Sequence, residues 1–294
     1  MIKKMRILNS DEQSLILPLL GESFPDYWEQ LALSMGKMPY EEISLAAFDN
    51  DKVIGHCGVI PYRIICGKEN FLMGGIASVA VAPEYRRKGI ASELCSLASQ
   101  WAKDNKFVSM PLYTAHCRVY ESAGWQVLDT PSAKKITSGK KIAAPGWEKG
   151  SSLTDKEKAN IIRLYNDSPA FDGKVLRDDS GTLHSWERIF AEPDFRFIAV
   201  PEMYAVKIGD TLIELGFDNH QTALADRKRL LYQLGVQKFY LPETELIHEL
   251  LEGVEIENIP SDEVMHGEKV MFLDLEDPGF HSGKDIFFPI TDKF

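Results

Sequence analysis

A strand that runs into a proline, three consecutive cations and a glycine, and then into an amphipathic helix, constrains this chain more than any other feature. Residues 75–81 alternate in the manner of a strand, with Ala77, Val79 and Val81 on one face. Pro83 stops the strand, and Arg86, Arg87 and Lys88 lead to Gly89. Apolar residues then recur at Ile90, Leu94, Leu97, Ala98 and Trp101, the stripe of one helix face. The first N–H groups of a helix are unpaired donors, the helix dipole adds positive potential there, and a glycine lets a ligand approach the backbone. With three cations alongside, such a junction suits a pyrophosphate. The competing reading is a solvated basic turn ahead of an ordinary helix.

The surrounding pattern is α/β, and it occurs twice. Residues 43–48 and 53–63 read as strands around a polar turn at 49–52, preceded by a largely helical stretch at 10–31. After the helix come a strand at 107–113, a short helix at 118–122 and a strand at 125–128. The second half opens with helices at 154–165, capped by Ser152 or Thr154, and at 182–190. Strands at 195–200, 203–208 and 212–217 follow, then a helix at 221–234 ended by Gly235. A strand at 237–241, a helix at 243–251 and closing strands at 254–259 and 269–273 complete the chain. An internal duplication is the economical explanation. The stretch 131–152 reads as the seam: 131–141 is short on large apolar residues, and Gly-Trp-Glu-Lys-Gly-Ser-Ser at 146–152 reads as loop. The expected domains are therefore 1–148 and 149–294, and 294 residues suffice for two.

Charge separates the halves. Of the 33 Lys+Arg and 44 Asp+Glu, 15 and 28 lie in residues 151–294. That acidic half argues against nucleic acid and suits a cationic partner, although acidic surface also serves solubility. No apolar run approaches the roughly 18 residues of a membrane span, and Asn9, Ser10, Asp11 and Glu12 occupy the place of a signal peptide's apolar run. The expectation is a soluble, cytoplasmic protein with no membrane partner. Cys57, Cys66, Cys95 and Cys117 have neither metal-site nor disulfide-framework spacing, so they read as reduced thiols and no metal is expected.

The junction's wording is more specific than its physics. Val79-x-Val-x-Pro83-x-Tyr-Arg86-Arg87-x-Gly89-Ile90-Ala91 resembles the acyl-CoA signature of the GNAT N-acetyltransferases, with the core Arg86-x-x-Gly89-x-Ala91. Val119-Tyr120-Glu121-Ser122-Ala123-Gly124-Trp125 resembles the family's second signature, and the separation of the two is the usual one. The duplicated order resembles the tandem acetyltransferases of the enhanced intracellular survival type. The fold class so implied is α/β: tandem GNAT-like domains, each a mixed, mainly antiparallel sheet flanked by helices. Relatives of that type usually carry a third domain, for which this length leaves no room.

The resemblance implies roles. Val79, Ala80 and Val81 would offer backbone groups to the pantetheine of acetyl-CoA, used as a cosubstrate. Arg86, Arg87, Lys88, Gly89, Ile90, Ala91 and Ser92 would cradle its pyrophosphate. Tyr120 would protonate the departing thiolate, which a phenol of pKa about 10 can do. A neutral amine would attack the thioester directly, a backbone N–H near Val79 holding the oxyanion, so Cys117 is not needed as a nucleophile. In three-domain relatives the C-terminal carboxylate acts as the base, which makes Phe294 a candidate beside His56, His116 and water. In the second half Asp218-Asn219-His220-Gln221 stands where the signature would be, so no CoA is expected there. The implied activity is transfer of an acetyl group to a primary amine of a small or peptide substrate. The alternative is a CoA-binding regulatory or interaction protein without turnover. The acceptor and the oligomeric state, a homo-oligomer included, stay open.

Overall fold

The computed structural model describes residues 3–24, 36, 42–128, 133–137, 146–177, 184–218, 222–264, 267–275 and 287. The N-terminal part contributes strands β1 (Lys3–Ile7), β2 (Ile43–Asp49), β3 (Lys52–Cys66), β4 (Glu69–Val81), β5 (Ser109–Thr114) and β6 (Gln126–Val127). Its helices are α1 (Leu17–Ser23), α2 (Ile90–Asp104) and α3 (Cys117–Glu121). Beyond them lie β7 (Ala133–Ile136), α4 (Asp155–Asp167), β8 (Lys174–Val175), α5 (Trp186–Ala191), β9 (Phe195–Val200), β10 (Met203–Ile208) and β11 (Thr211–Phe217). The chain continues through α6 (Leu224–Gln233), β12 (Lys238–Tyr240), α7 (Glu245–Leu251), β13 (Ile256–Asn258), α8 (Ser261–Val264) and β14 (Lys269–Asp274).

Two mixed, mainly antiparallel sheets result, flanked by helices as expected. The first runs β1-β2-β3-β4-β5-β14-β6, with β8 attached to β3, and the second runs β13-β7-β12-β11-β10-β9. Both sheets cross residue 148. Strand β7, inside the stretch expected to be a linker, pairs with β12 and β13 of the second sheet. Strand β14, expected to close the second half, pairs with β5 and β6 of the first. Each half thus completes the other's sheet.

Helix α2 forms where its stripe dictates: Ile90, Leu94, Cys95, Ala98 and Ala102 are buried against β2, β3 and β4. Each large side chain so buried contributes about 1.5–3 kcal/mol. Helix α1 covers the opposite face of the sheet through Leu17, Leu19 and Leu20. It is shorter than the helical stretch expected at 10–31: Ser10–Leu15 is a 3-10 turn, and residues 25–31 lie outside the described residues. The β3–β4 hairpin outruns β2, and its far half carries Tyr62, Ile64 and Met73 into a core shared with Tyr165, Trp186, Ile189, Phe197 and Tyr240. That shared core joins the halves. Thr154 caps α4, its hydroxyl accepting from the Glu157 N–H while the Glu157 carboxylate accepts from the Thr154 N–H. Among the described residues no helix is long and apolar enough to cross a membrane.

Candidate acyl-CoA site

Strands β4 and β5 run parallel but meet at a single register point, Met73 opposite Ser109. No further β4–β5 pair follows among the described residues, while β5 pairs on its other edge with β14 and β4 with β3. The last residues of β4 thus have no ladder partner on the β5 side among the described residues. The β3–β4 ladder is also irregular here. His56 pairs with Ala80 and Gly58 with Ala77, so Ser78 and Val79 together face Cys57 alone, a β-bulge. Ser78 accordingly sits at φ +49°, unusual for a side-chain-bearing residue.

A buried pair holds this bulge. His56 Nδ1 lies 2.8 Å from the Ser78 carbonyl oxygen, which can only accept, so Nδ1 carries the proton. His56 Nε2 faces Glu42 Oε1 at 3.3 Å, with both side chains sealed from solvent. Glu42 Oε1 also accepts from the Ser44 hydroxyl at 2.5 Å. Nothing in the sequence singled out Glu42. His56 therefore faces the bulge from inside the sheet, with no exposed surface for an incoming substrate.

The basic junction follows β4 through a 3-10 turn at Pro83–Tyr85. Gly89 takes the N-cap of α2 at φ +79°, and no side chain caps the helix. Its carbonyl accepts from the Glu93 N–H, while the N–H groups of Ile90, Ala91 and Ser92 have no partner among the described residues. The three cations diverge. Arg86 Nε donates to the Val81 carbonyl at 3.0 Å, and Lys88 Nζ donates to the Glu84 carbonyl at 2.8 Å beneath the Tyr85 ring. Arg87, at φ +60°, is exposed and has no partner among the described residues. Unspent N–H donors, a left-handed glycine and a free guanidinium together fit a pyrophosphate.

Tyr120 sits on α3, half-buried, its ring packed edge-on to Trp125 at 6.4 Å. Trp125 Nε1 donates to the Met110 carbonyl at 2.7 Å, which anchors the short helix to β5. Burial, reinforced by the neighbouring Cys95 and Cys57, pushes the Tyr120 phenol well above its ordinary pKa, while a hydrogen bond with Thr114 acts the other way. Ser92 on α2 touches Ser122 beyond α3, Oγ to Oγ 3.2 Å, so the two signature segments are in contact. His116 is exposed at the start of α3. Phe294, Phe288 and Ile290 lie outside the described residues. Phe287 is described and buried: its N–H donates to the Asp172 carbonyl at 2.9 Å, and its ring meets Tyr240 and Phe171.

Comparison with known proteins bears on the fold. Residues 4–128 match the family model of an acetyltransferase (GNAT) domain. A probable N-acyltransferase from Enterococcus faecalis, otherwise described as a conserved protein of unknown function, superposes with a TM-score of 0.62 at 16% identity, covering 94% of this chain and 73% of that one. A GCN5-related N-acetyltransferase from Anabaena variabilis gives 0.63 at 16% identity, covering 94% and 73%. Eis1 from Mycobacterium abscessus gives 0.58 at 14% identity, covering 94% and 74%. No curated protein matches the sequence. Residues 4–128, somewhat under half of the chain, thus match the acetyltransferase (GNAT) domain model, and the likeness to Eis1 is one of fold.

Proposed function

We propose that this protein is an acetyl-CoA-dependent N-acetyltransferase that moves the acetyl group directly to a primary amine of a small or peptide substrate. The observation that carries the reading is the bulged end of β4 leading into an uncapped helix beside a free Arg87. In this reading Val79, Ala80 and Val81 pair with the pantetheine as an added strand would. Arg87 and the N–H groups from Gly89 to Ser92 bind the pyrophosphate, and Arg86 and Lys88 add charge beside it. The bulge turns a backbone N–H at Val79 toward the thioester oxygen, where negative charge develops. Tyr120 gives its proton to the thiolate as the C–S bond breaks. The acidic second half favours a cationic acceptor, and the setting is the cytoplasm.

The base candidates in this reading are the Phe294 carboxylate, His116 and water, since His56 is sealed behind the bulge. A free α-carboxyl with pKa about 3.3–3.7 is a weak base at pH 7, so its environment must raise it. Two variants test the assignment: deletion of Phe294, and extension by two glycines, which moves the carboxylate but keeps the ring. Loss of turnover in both, with acetyl-CoA binding intact, supports the carboxylate; full activity in both returns the proton to His116 or water. The broader reading is tested by an amine panel with detection of free CoA thiol. Binding of acetyl-CoA without thiol release across polyamines, aminoglycosides and lysyl peptides would leave a binding protein.

A further inference from the structure

The second sheet repeats the first one's short parallel pairing. Strands β11 and β12 run parallel and meet only at Thr211–Lys238 and Leu212–Phe239. Strand β11 is bulged as well, its register to β10 shifting between Val206 and Lys207. A cavity of about 510 Å³ lies at this second pairing, walled by the rings of Tyr165, Phe171, Tyr204 and Phe287 and floored by Lys174 and Glu214. That volume is in the range of small-molecule sites, which are mostly apolar with a few convergent polar groups.

The charges on its floor do not cancel. Glu214 is buried and answered by Arg177, whose Nη1 lies 2.9 Å from Oε1 and whose side chain is fully buried between the rings of Tyr165 and Trp186. The Tyr204 hydroxyl donates to the same carboxylate at 3.0 Å. Lys174 is only 4% exposed, its Nζ lies 4.8 Å from the centre of the Tyr165 ring, and no carboxylate forms an ion pair with it among the described residues. Its Nζ donates to the carbonyls of Tyr165 and Ser168 at 2.7 and 2.8 Å, and an ammonium has three donors. A buried cation without an anion is costly unless a ligand supplies one. Burial accordingly pulls Lys174 down to about 8, with Glu214 and Asp167 pulling upward and Arg177 downward. Arg227 is also in the wall, and Glu245 and Glu249 line it from α7, both exposed.

We propose that this cavity binds a small organic monoanion, a carboxylate on an aromatic or apolar body, with the carboxylate on Lys174 and the body among the four rings. One unanswered cation calls for one negative charge. A dianion would meet Glu214, and a cationic amine would meet Lys174. The site is separate from the acyl-CoA cleft and does not depend on the transferase reading.

The test is calorimetry of the full chain with 3-phenylpropionate, and with 3-phenylpropanol as the uncharged counterpart. The acid should bind at least about tenfold tighter than the alcohol. Lys174→Met should abolish that preference, and Gly89→Asp, outside the cavity's lining, should leave it unchanged. In the wild type, affinity for the acid should fall about tenfold per pH unit above about 8, because the free ammonium loses its proton there. That pH titration serves equally if Lys174→Met does not fold. Equal binding of acid and alcohol, a flat pH profile, undiminished binding of the acid by Lys174→Met, or no binding at millimolar probe each overturns the proposal.

Discussion

The two strand-to-helix junctions of this chain share a backbone design and differ in charge. In both, a bulged strand leaves a parallel neighbour after one or two register points and hands over to a helix without a side-chain cap, α2 in one case and α6 in the other. At the first, Gly89 takes a left-handed turn and Arg87 stands free. At the second, Asp218 is buried and paired with Arg163 at 3.2 Å, and the N-cap is Ala223 in extended conformation. The short parallel pairing and the unpaired N–H groups therefore belong to the fold. Whether an anion can use them depends on the few residues at the corner.

The sharpest test breaks the first junction by giving it the charge of the second. Gly89→Asp adds a carboxylate and a Cβ at a left-handed position, so acetyl-CoA binding should become undetectable by calorimetry while the thermal transition persists. Unchanged affinity would remove the phosphate cradle from the argument. A smaller effect is expected at Tyr120→Phe: turnover lower by roughly 10²-fold, the scale of a lost general acid, with acetyl-CoA affinity nearly constant. Because burial raises the Tyr120 phenol above its ordinary value, its proton is retained through neutral and moderately alkaline pH. The wild-type rate should therefore show no decline from this group below about pH 10. Equal turnover in the phenylalanine variant would make Tyr120 a packing residue.

The same contrast explains what could be read from the chain in advance. The α2 stripe, the hairpin around Asn50, the capping at Thr154 and both signature segments are local patterns, and each appears within a few residues of its expected place. The partnership of strands is not local. Val270, Met271, Phe272 and Leu273 look the same whichever sheet they join, and only the tertiary fold sends them to β5. Strand β7 was hidden by its lysines, one of which, Lys134, pairs with Glu243 across the second sheet. Strand β1 carries little signal for the same reason, since Lys3, Lys4 and Arg6 leave little apolar alternation. Glu42 could not be found because its meaning comes from His56, on the neighbouring strand and reached only through the sheet.

That buried pair separates a positioning role from a proton-transfer role. His56→Ala leaves the Ser78 carbonyl without its partner, an unmet group costing about 1–3 kcal/mol, and removes the imidazole beside Glu42, whose Oε1 keeps the Ser44 hydroxyl. The bulge should loosen, so KM for acetyl-CoA should rise about tenfold and the midpoint of thermal unfolding should fall. The shape of the pH–rate profile should not change. A loss confined to kcat, with the acidic limb of the profile abolished, would instead make His56 the base and exclude Phe294 from that role.

The smallest expected effect comes from neutralising the second junction. Asp218→Ala removes the carboxylate that would repel a phosphate, yet the proposed stoichiometry of one acetyl-CoA per chain should persist. Charge is only part of the difference: α6 begins at Ala223 with φ −65°, and no left-handed glycine opens its first turn to a ligand. Stability should change by about 1 kcal/mol or less. Arg163 is nearly half exposed and keeps Asp167 at 3.3 Å, so the lost pair is of the weak surface kind, while a buried carboxylate is relieved of its desolvation. Appearance of a second acetyl-CoA site in this variant would show that one aspartate alone silences the junction. Persistence of a single site would assign the difference to backbone and charge together, with the glycine as the feature that a second substitution, Ala223→Gly in the Asp218→Ala background, should begin to restore.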